Sequence, residues 1–208
     1  MPAADFDLYL VTDRQQTRDR DLLRVLQEAL DGGADAVQLR EKDLCGKDLF
    51  LLAETARKLT HRYTARLFIN DRIDVASAVE ADGVQLGNAS MPIAAARQIL
   101  GTQRRIGVSV HSLPEAQEAQ KAGADFIVFG PIYFTPSKAS YGAPQGLQRL
   151  QKVVDKISLP VYAIGGLNQT NIADVKQLGV RGIALISAIL GADDPKNATA
   201  KILALLRR

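Results

Sequence analysis

Cysteine is nearly absent: Cys45 is the only one in 208 residues, and there is no tryptophan. A single thiol builds neither an intrachain disulfide nor a zinc cluster, and its default place is buried or half-buried. No apolar run comes near the roughly 20 residues of a membrane-spanning helix. The opening residues Met1-Pro-Ala-Ala-Asp-Phe6 lack the pattern of a signal peptide. Charge of one sign is scarce as well, because the formal balance is +3 and the Lys and Arg residues are scattered. That balance gives no support for a nucleic-acid surface and suits small anionic substrates. The expected setting is the cytoplasm, with neither nucleic acid nor membrane as partner.

What is present is an ordinary globular composition, 47% hydrophobic and 24% charged, long enough for one large domain over residues 1–208. Short apolar runs alternate with amphipathic stretches throughout. Strands are expected at Leu8–Val11, Ala36–Leu39, Arg66–Ile69, Gly83–Leu86, Arg105–Val108, Phe126–Phe129, Val161–Ile164 and Gly182–Ile186. Helices are expected between them, among others at Leu22–Leu30, Asp48–Leu59, Ile93–Leu100, Pro114–Ala122, Leu147–Ile157, Thr170–Leu178 and Pro195–Leu206. Near-continuous apolar strands joined by helices indicate a covered parallel sheet. Eight such units indicate an α/β single-domain (β/α)₈ TIM barrel. An open doubly wound sheet is the alternative, but no Gly-x-Gly-x-x-Gly turn follows the first strand. An internal echo supports the barrel. Gly33-Ala-Asp-Ala-Val-Gln-Leu39 is repeated as Ala81-Asp-Gly-Val-Gln-Leu86, as Gly123-Ala-Asp-Phe-Ile-Val-Phe129 and more loosely as Gly179-Val-Arg-Gly-Ile-Ala-Leu185. The copies recur at roughly 45–55 residues, which is two strand–helix units, or a quarter of a barrel.

Residues just past the C-terminal ends of barrel strands converge on one mouth. In order these are Thr12 and Asp13; Gln38, Arg40 and Lys42; Asn70, Asp71 and Arg72; Gln85; Ser109 and His111; and Thr135, Ser137 and Lys138. The last cluster offers one anion two hydroxyls and an ammonium. Gly165-Gly166 and Ile186-Ser187 end the last two strands. Phosphate commonly binds there on backbone N–H groups, and a tight turn is the plainer explanation of the glycines. Arg40 and Lys42 either face one side together or belong to a solvated Arg-Glu-Lys turn. Asp71 is a ligand candidate for a hard cation such as Mg²⁺, given phosphate oxygens and water, while Arg72 pairs with it or with Asp74. His111 stands where it could carry protons near neutral pH, and His61 reads as surface.

Six runs resemble the thiamin-phosphate synthase/TenI family: Tyr9-Leu-Val-Thr-Asp13, Val37-Gln-Leu-Arg-Glu-Lys42, Phe68-Ile-Asn-Asp-Arg72, Gly107-Val-Ser-Val-His-Ser112, Gly130-Pro-Ile-Tyr-Phe-Thr-Pro-Ser-Lys138 and Ala163-Ile-Gly-Gly166. They span nearly the whole chain, in one order, each at an expected strand end. The resemblance implies a (β/α)₈ enzyme of thiamin biosynthesis, and a homo-oligomer is compatible with a barrel of this size. In the synthase branch, a hydroxymethylpyrimidine diphosphate joins a thiazole phosphate and releases diphosphate. Gln38, Arg40, Lys42, Asn70, Ser109 and Lys138 would then hold the pyrimidine diphosphate. Thr135 and Ser137 would lie on the thiazole side, and Gly166, Ile186 and Ser187 would receive the thiazole phosphate. Asp71 would ligate Mg²⁺.

Two departures from the synthase pattern follow the fourth strand, in Gly83-Val-Gln-Leu-Gly-Asn-Ala-Ser90. Ser90 occupies the place of a metal-binding aspartate, and Gln85 that of a histidine. Both tilt the expected reaction toward the TenI branch, a thiazole tautomerase that aromatises a thiazole carboxylate phosphate by proton transfer without a cofactor. His111 would be its general acid/base, with Gln85 or Ser109 orienting substrate. The Mg²⁺-dependent synthase is the second reading, supported by the retained Arg40, Lys42, Asn70, Asp71 and Lys138. A non-catalytic sensor of phosphate ligands is the third.

Overall fold

The computed structural model describes residues 5–135 and 143–207. Eight parallel strands close a TIM barrel in chain order: β1 (Leu8–Val11), β2 (Ala36–Leu39), β3 (Arg66–Asn70), β4 (Gly83–Leu86), β5 (Arg105–Val110), β6 (Phe126–Phe129), β7 (Val161–Ile164) and β8 (Gly182–Leu185), with β8 paired to β1. Outside them lie α1 (Leu22–Asp31), α2 (Gly46–Arg62), α3 (Ile73–Ala78), α4 (Ile93–Leu100), α5 (Leu113–Lys121), α6 (Gly146–Lys156), α7 (Ile172–Lys176), α8 (Ser187–Leu190) and α9 (Pro195–Leu206). Among the described residues no helix is long and apolar enough to cross a membrane.

The elements follow from local chemistry. In α1 the buried residues Leu22, Val25, Leu26, Ala29 and Leu30 repeat at helical spacing, and Asp21 caps the first turn by accepting from the Arg24 amide at 2.9 Å. Asp194 and Pro195 start α9 in the same way. The expected helix over Thr170–Leu178 shrinks to Ile172–Lys176. Asn168 accepts from both the amide and the hydroxyl of Thr170, at 2.9 and 2.6 Å, and so holds those residues in a turn. Cys45 is exposed, contrary to expectation, because it precedes the first turn of α2 and its thiol reaches Asp48.

Strand alternation separates two cores. Leu8, Leu10, Val37, Leu39, Leu67 and Ile69 face the helices, while Tyr9, Ala36, Phe68, Phe126 and Tyr162 face the barrel axis. Of the six Phe and five Tyr in the chain, four fill the barrel around Phe6, which stacks on Tyr162 with ring centroids 4.5 Å apart and meets Phe126 edge-on at 5.5 Å. Such pairs add about 0.5–1.5 kcal/mol each beyond their buried area. The rings need space opposite, and glycines at 83, 107 and 182 leave it.

The echo noted in the sequence has a structural reason. Asp35, before β2, accepts from the amides of Asp7 and Leu8 at 3.0 Å each, at the start of β1. Asp82, before β4, accepts from Leu67 at 2.9 Å, and Asp125, before β6, accepts from Ile106 at 2.6 Å. Each aspartate ties the start of one strand to the next. Arg181 takes the fourth position and pairs with Asp7 at 2.6 Å.

The same end of the barrel carries an ion network in which Asp5 bridges Arg105 at 2.8 Å and Arg66 at 3.1 Å. Partial burial opposes ionisation of Asp5, but both guanidiniums outweigh it and lower its pKa from 3.8 to about 2. A depressed carboxylate contributes stability above its unfolded pKa and loses it as pH falls through the folded one. Asp5→Asn is therefore expected to cost at most about 1 kcal/mol at pH 7, since the pair is half exposed. The difference from the parent should close between about pH 4 and pH 2, measured by urea unfolding.

Candidate active site at the barrel mouth

The inward parity of the barrel continues upward into the polar residues. Two positions beyond Ala36, Phe68, Gly83 and Gly107 come Gln38, Asn70, Gln85 and Ser109, so the mouth is floored by the next turn of the same alternation.

At the corner after β2, Glu41 is the anchored residue. It is buried, 5% exposed, and turns back toward β1. The Thr12 hydroxyl donates to it at 2.6 Å, and the amide and guanidinium of Arg14 donate at 3.1 and 3.3 Å. Thr12 Oγ1 in turn accepts the Arg40 amide at 2.9 Å. The Arg-Glu-Lys run is thus no solvated turn. With Glu41 engaged by Thr12 and Arg14, Arg40 is half-buried and Lys42 exposed, and among the described residues neither is paired with a carboxylate. Thr12 and Asp13 are structural here, Asp13 capping the turn at Arg14–Gln16. Hydrogen bonds to a buried charge contribute about 1.5–3 kcal/mol. Glu41→Ala is accordingly expected to destabilise the protein by about that amount in chemical denaturation and to weaken binding of inorganic diphosphate, measured calorimetrically.

After β3, Asp71 adopts φ 59, a left-handed conformation that Asp tolerates better than most residues. One carboxylate oxygen accepts the Ser90 hydroxyl and the other accepts Asn70 Nδ2 at 2.8 Å. Ser90 Oγ also accepts the Gly87 amide at 2.6 Å, which pins the turn after β4. Arg72 leaves Asp71 alone and pairs with Asp74 at 2.5 Å. A cavity of about 250 Å³ opens here, lined among others by Glu41, Lys42, Asn70, Asp71 and Arg72. As a cation site the set is oxygen-rich but thin. Among the described residues no three His, Cys, Asp or Glu side chains gather anywhere. One carboxylate with a hydroxyl and an amide fits Mg²⁺ only when substrate phosphate and water supply most of the shell.

Gln38 and Gln85 are both buried, at 4% and 1% exposure. Gln85 Nε2 donates to Ser109 Oγ at 3.0 Å, and its Oε1 accepts the Tyr9 hydroxyl at 3.4 Å. Burial pushes the Tyr9 phenol well above its usual range, with a hydrogen bond to Gln38 opposing in part. His111, at the end of β5, is held twice. Its amide donates to Glu115 at 2.8 Å, and its Nδ1 is bonded to the Gly130 carbonyl. A carbonyl only accepts, so Nδ1 carries a proton in that bond.

At the corner after β7, packing alone accounts for the glycines. A Cβ on Gly165 would lie 2.5 Å from the Pro131 side chain, and one on Gly166 would lie 2.7 Å from the Phe134 carbonyl. Any phosphate role there rests on the amides. Among the described residues neither Gly166 nor Ser187 donates its amide in a turn or cap bond. Ile186 and Ser187 stand at the start of α8, a short extra helix after β8. Thr135 is half-buried at the same rim, while Ser137 and Lys138 lie outside the described residues. His61 is exposed on α2.

The larger cavity, about 560 Å³, lies at the opposite end among Arg66, Glu80, Asp82, Gln103, Arg104 and Arg105. That is the face of a TIM barrel associated with stability, and Arg66, Arg105 and Asp82 are already engaged in ion pairs. Volume is therefore a poorer guide than chemistry in this molecule. Sequence reasoning passed over Glu41, the middle member of a charged run, and gave Tyr9 no part beyond its strand. The inward parity of Tyr9 was a signal for the second.

Comparison with known proteins agrees with the barrel fold and identifies the family. A profile of the family described as thiamine monophosphate synthase matches residues 8–189. A Geobacter sulfurreducens protein provisionally named a thiamine-phosphate synthase is 52% identical over 206 residues, covering 99% of this chain and 97% of its own length. The thiamine-phosphate synthase of Clostridium novyi is 44% identical over 195 residues, covering 94% of this chain and 96% of its own. Thiamine phosphate pyrophosphorylase from Pyrococcus furiosus superposes with a TM-score of 0.89 at 41% identity, over 98% of this chain and 96% of that one. These relatives carry the name of the condensation, so the expected tilt toward a thiazole tautomerase is not supported and the synthase alternative is better backed. The chain belongs to the thiamine monophosphate synthase family, and it is an enzyme of thiamin biosynthesis.

Proposed function

We propose that this protein is a Mg²⁺-dependent thiamin-phosphate synthase of the cytoplasm, condensing hydroxymethylpyrimidine diphosphate with a thiazole phosphate. The observation that carries the reading is the pair of cations at the corner after β2. Lys42 lines the 250 Å³ cavity together with Asp71, and Arg40, on the same parity two residues before it, has no carboxylate partner among the described residues, an arrangement suited to a diphosphate.

In the condensation, the bond between the pyrimidine methylene carbon and the diphosphate oxygen breaks, and its electron pair leaves with diphosphate. The thiazole nitrogen lone pair forms the new C–N bond. Bound Mg²⁺ would offset the charge of the leaving group, held by Asp71 together with diphosphate oxygens. Arg40, Lys42 and Lys138 would add fixed positive charge there, and Gln38, Asn70 and Ser109 would position the diphosphate by hydrogen bonds. Thr135 and Ser137 would border the thiazole. The amides at Gly166, Ile186 and Ser187 would receive its phosphate.

No proton moves between heavy atoms in this step, so a general base is not required. His111 then serves to hold Gly130, and its expected role as proton carrier belongs to the tautomerase. Gln85 likewise has both ends of its amide engaged within the protein, which argues against its orienting substrate directly. His111→Asn should lower kcat less than about tenfold and leave the pH profile in place, whereas loss of a general acid or base costs about 10²–10⁴-fold. Steady-state rates from pH 5.5 to 8.5 check this. The function itself is tested by incubating the protein with both precursors, with and without Mg²⁺. Metal-dependent diphosphate release is expected. Thiazole tautomer conversion without diphosphate release would overturn the proposal.

A further inference from the structure

Three side chains connect the aromatic core to the mouth, and their donors and acceptors run in one direction. Tyr9 is fully buried and its phenol stays protonated across the working pH range; Gln38 donates to the phenol oxygen, and the single phenol proton goes to Gln85 Oε1 at 3.4 Å. That fixes which way the Gln85 amide faces. Oxygen turns to Tyr9, and nitrogen turns to Ser109, to which it donates at 3.0 Å. The amide has room because residue 107 is glycine: a Cβ there would come within 2.5 Å of Gln85 Oε1. Ser109 Oγ, half-buried at the rim of the floor, is therefore an acceptor toward the protein. Its own hydrogen is left for whatever occupies the mouth.

We propose that Gln85 and Tyr9 are positioning residues that hold Ser109 as a donor, so that this point of the floor accepts an anionic oxygen and discriminates against a group that itself needs an acceptor. The inference rests on the synthase reading for the identity of the anion, the substrate diphosphate. It goes beyond that reading in assigning Gln85 and Tyr9 a part in specificity although neither touches substrate. A donor fixed before binding loses little freedom when the ligand arrives, which is the advantage of such a chain over a freely rotating hydroxyl.

The test is a double-mutant cycle on binding of inorganic diphosphate with Mg²⁺, read by calorimetry, combined with kinetics. Gln85→Met removes the amide without adding charge. A hydrogen bond to a charged group contributes about 1.5–3 kcal/mol, so Ser109→Ala should weaken diphosphate roughly 10-fold or more. Gln85→Met should weaken it several-fold, and the double variant should bind no worse than Ser109→Ala alone. KM for the pyrimidine diphosphate should rise while kcat holds. Independent, additive losses, or unchanged affinity in Gln85→Met, would overturn the proposal, as would a parent protein that does not bind diphosphate. If Gln85→Met does not fold, Tyr9→Phe, which removes one oxygen, enters the same cycle with the same criteria. A parent that binds diphosphate but never releases it from the two precursors would overturn the synthase reading and leave the cycle to decide this one.

Discussion

Asp71→Asn is expected to lower Mg²⁺-dependent kcat/KM by about 10²–10³-fold, a loss of roughly 3–4 kcal/mol of transition-state stabilisation. The reasoning is local. Asp71 is the carboxylate that the mouth can offer a cation at this corner, and its neighbours Ser90 and Asn70 bring only neutral groups. Amidation removes the charge and turns an NH2 toward Asn70, whose own amide must flip to present its oxygen; the rest stays in place. Asparagine also tolerates the left-handed φ of 59, and its oxygen can still accept from Ser90. The thermal midpoint should therefore hold while activity collapses and the Mg²⁺ requirement rises. Titrating Mg²⁺ against initial rate in parent and variant, with melting curves alongside, checks both halves. Activity within threefold of the parent would remove Asp71 from the metal's coordination.

Gly107→Ala should have the largest effect on the fold. The added Cβ would lie 2.3 Å from Phe126 Cζ and 2.5 Å from Gln85 Oε1, distances at which something must shift. Phe126 cannot yield easily, since Phe6, Tyr9, Phe68 and Tyr162 surround it at centroid distances of 5.3–5.9 Å. Overpacking of this kind costs about 3 kcal/mol, equivalent to a drop of roughly 6–12 °C in melting temperature for a chain of this size. The same Cβ would displace the Gln85 amide, so diphosphate affinity should fall in whatever fraction remains folded. Calorimetric melting and diphosphate titration at low temperature separate the two effects. A variant melting with the parent would show that the ring cluster can relax after all.

Much of this was legible beforehand, for physical reasons that differ by residue. The strands were plain because both faces are buried, so each reads as an apolar run with short punctuation. The floor of the mouth was legible because side chains alternate, and Gln38, Asn70, Gln85 and Ser109 continue the inward parity of the core. α3 was not picked out, being six residues long and preceded by the unusual backbone of Asp71. Glu41 was hidden because a carboxylate between two cations looks solvated, and only its long-range partners Thr12 and Arg14 show otherwise. Ser90 was read only as a lost charge, and its bonds to Asp71 and Gly87 depend on two loops meeting. The reaction was least legible of all. Gln85 was weighed as a substrate contact, and three-dimensional placement turns it into a link between the core and Ser109.

The aspartates at the far end of the barrel have a bearing on this chemistry. Sliding any strand by one residue would exchange its inward and outward faces, carrying Gln38, Asn70, Gln85 or Ser109 out of the mouth and into the helix layer. Asp35, Asp82 and Asp125 forbid that slip, since each recognises particular amide groups on the adjacent strand. They work at the opposite end of their strands, about 15 Å below the chemistry. Three carboxylates that no substrate approaches thus act as the alignment pins of the catalytic surface.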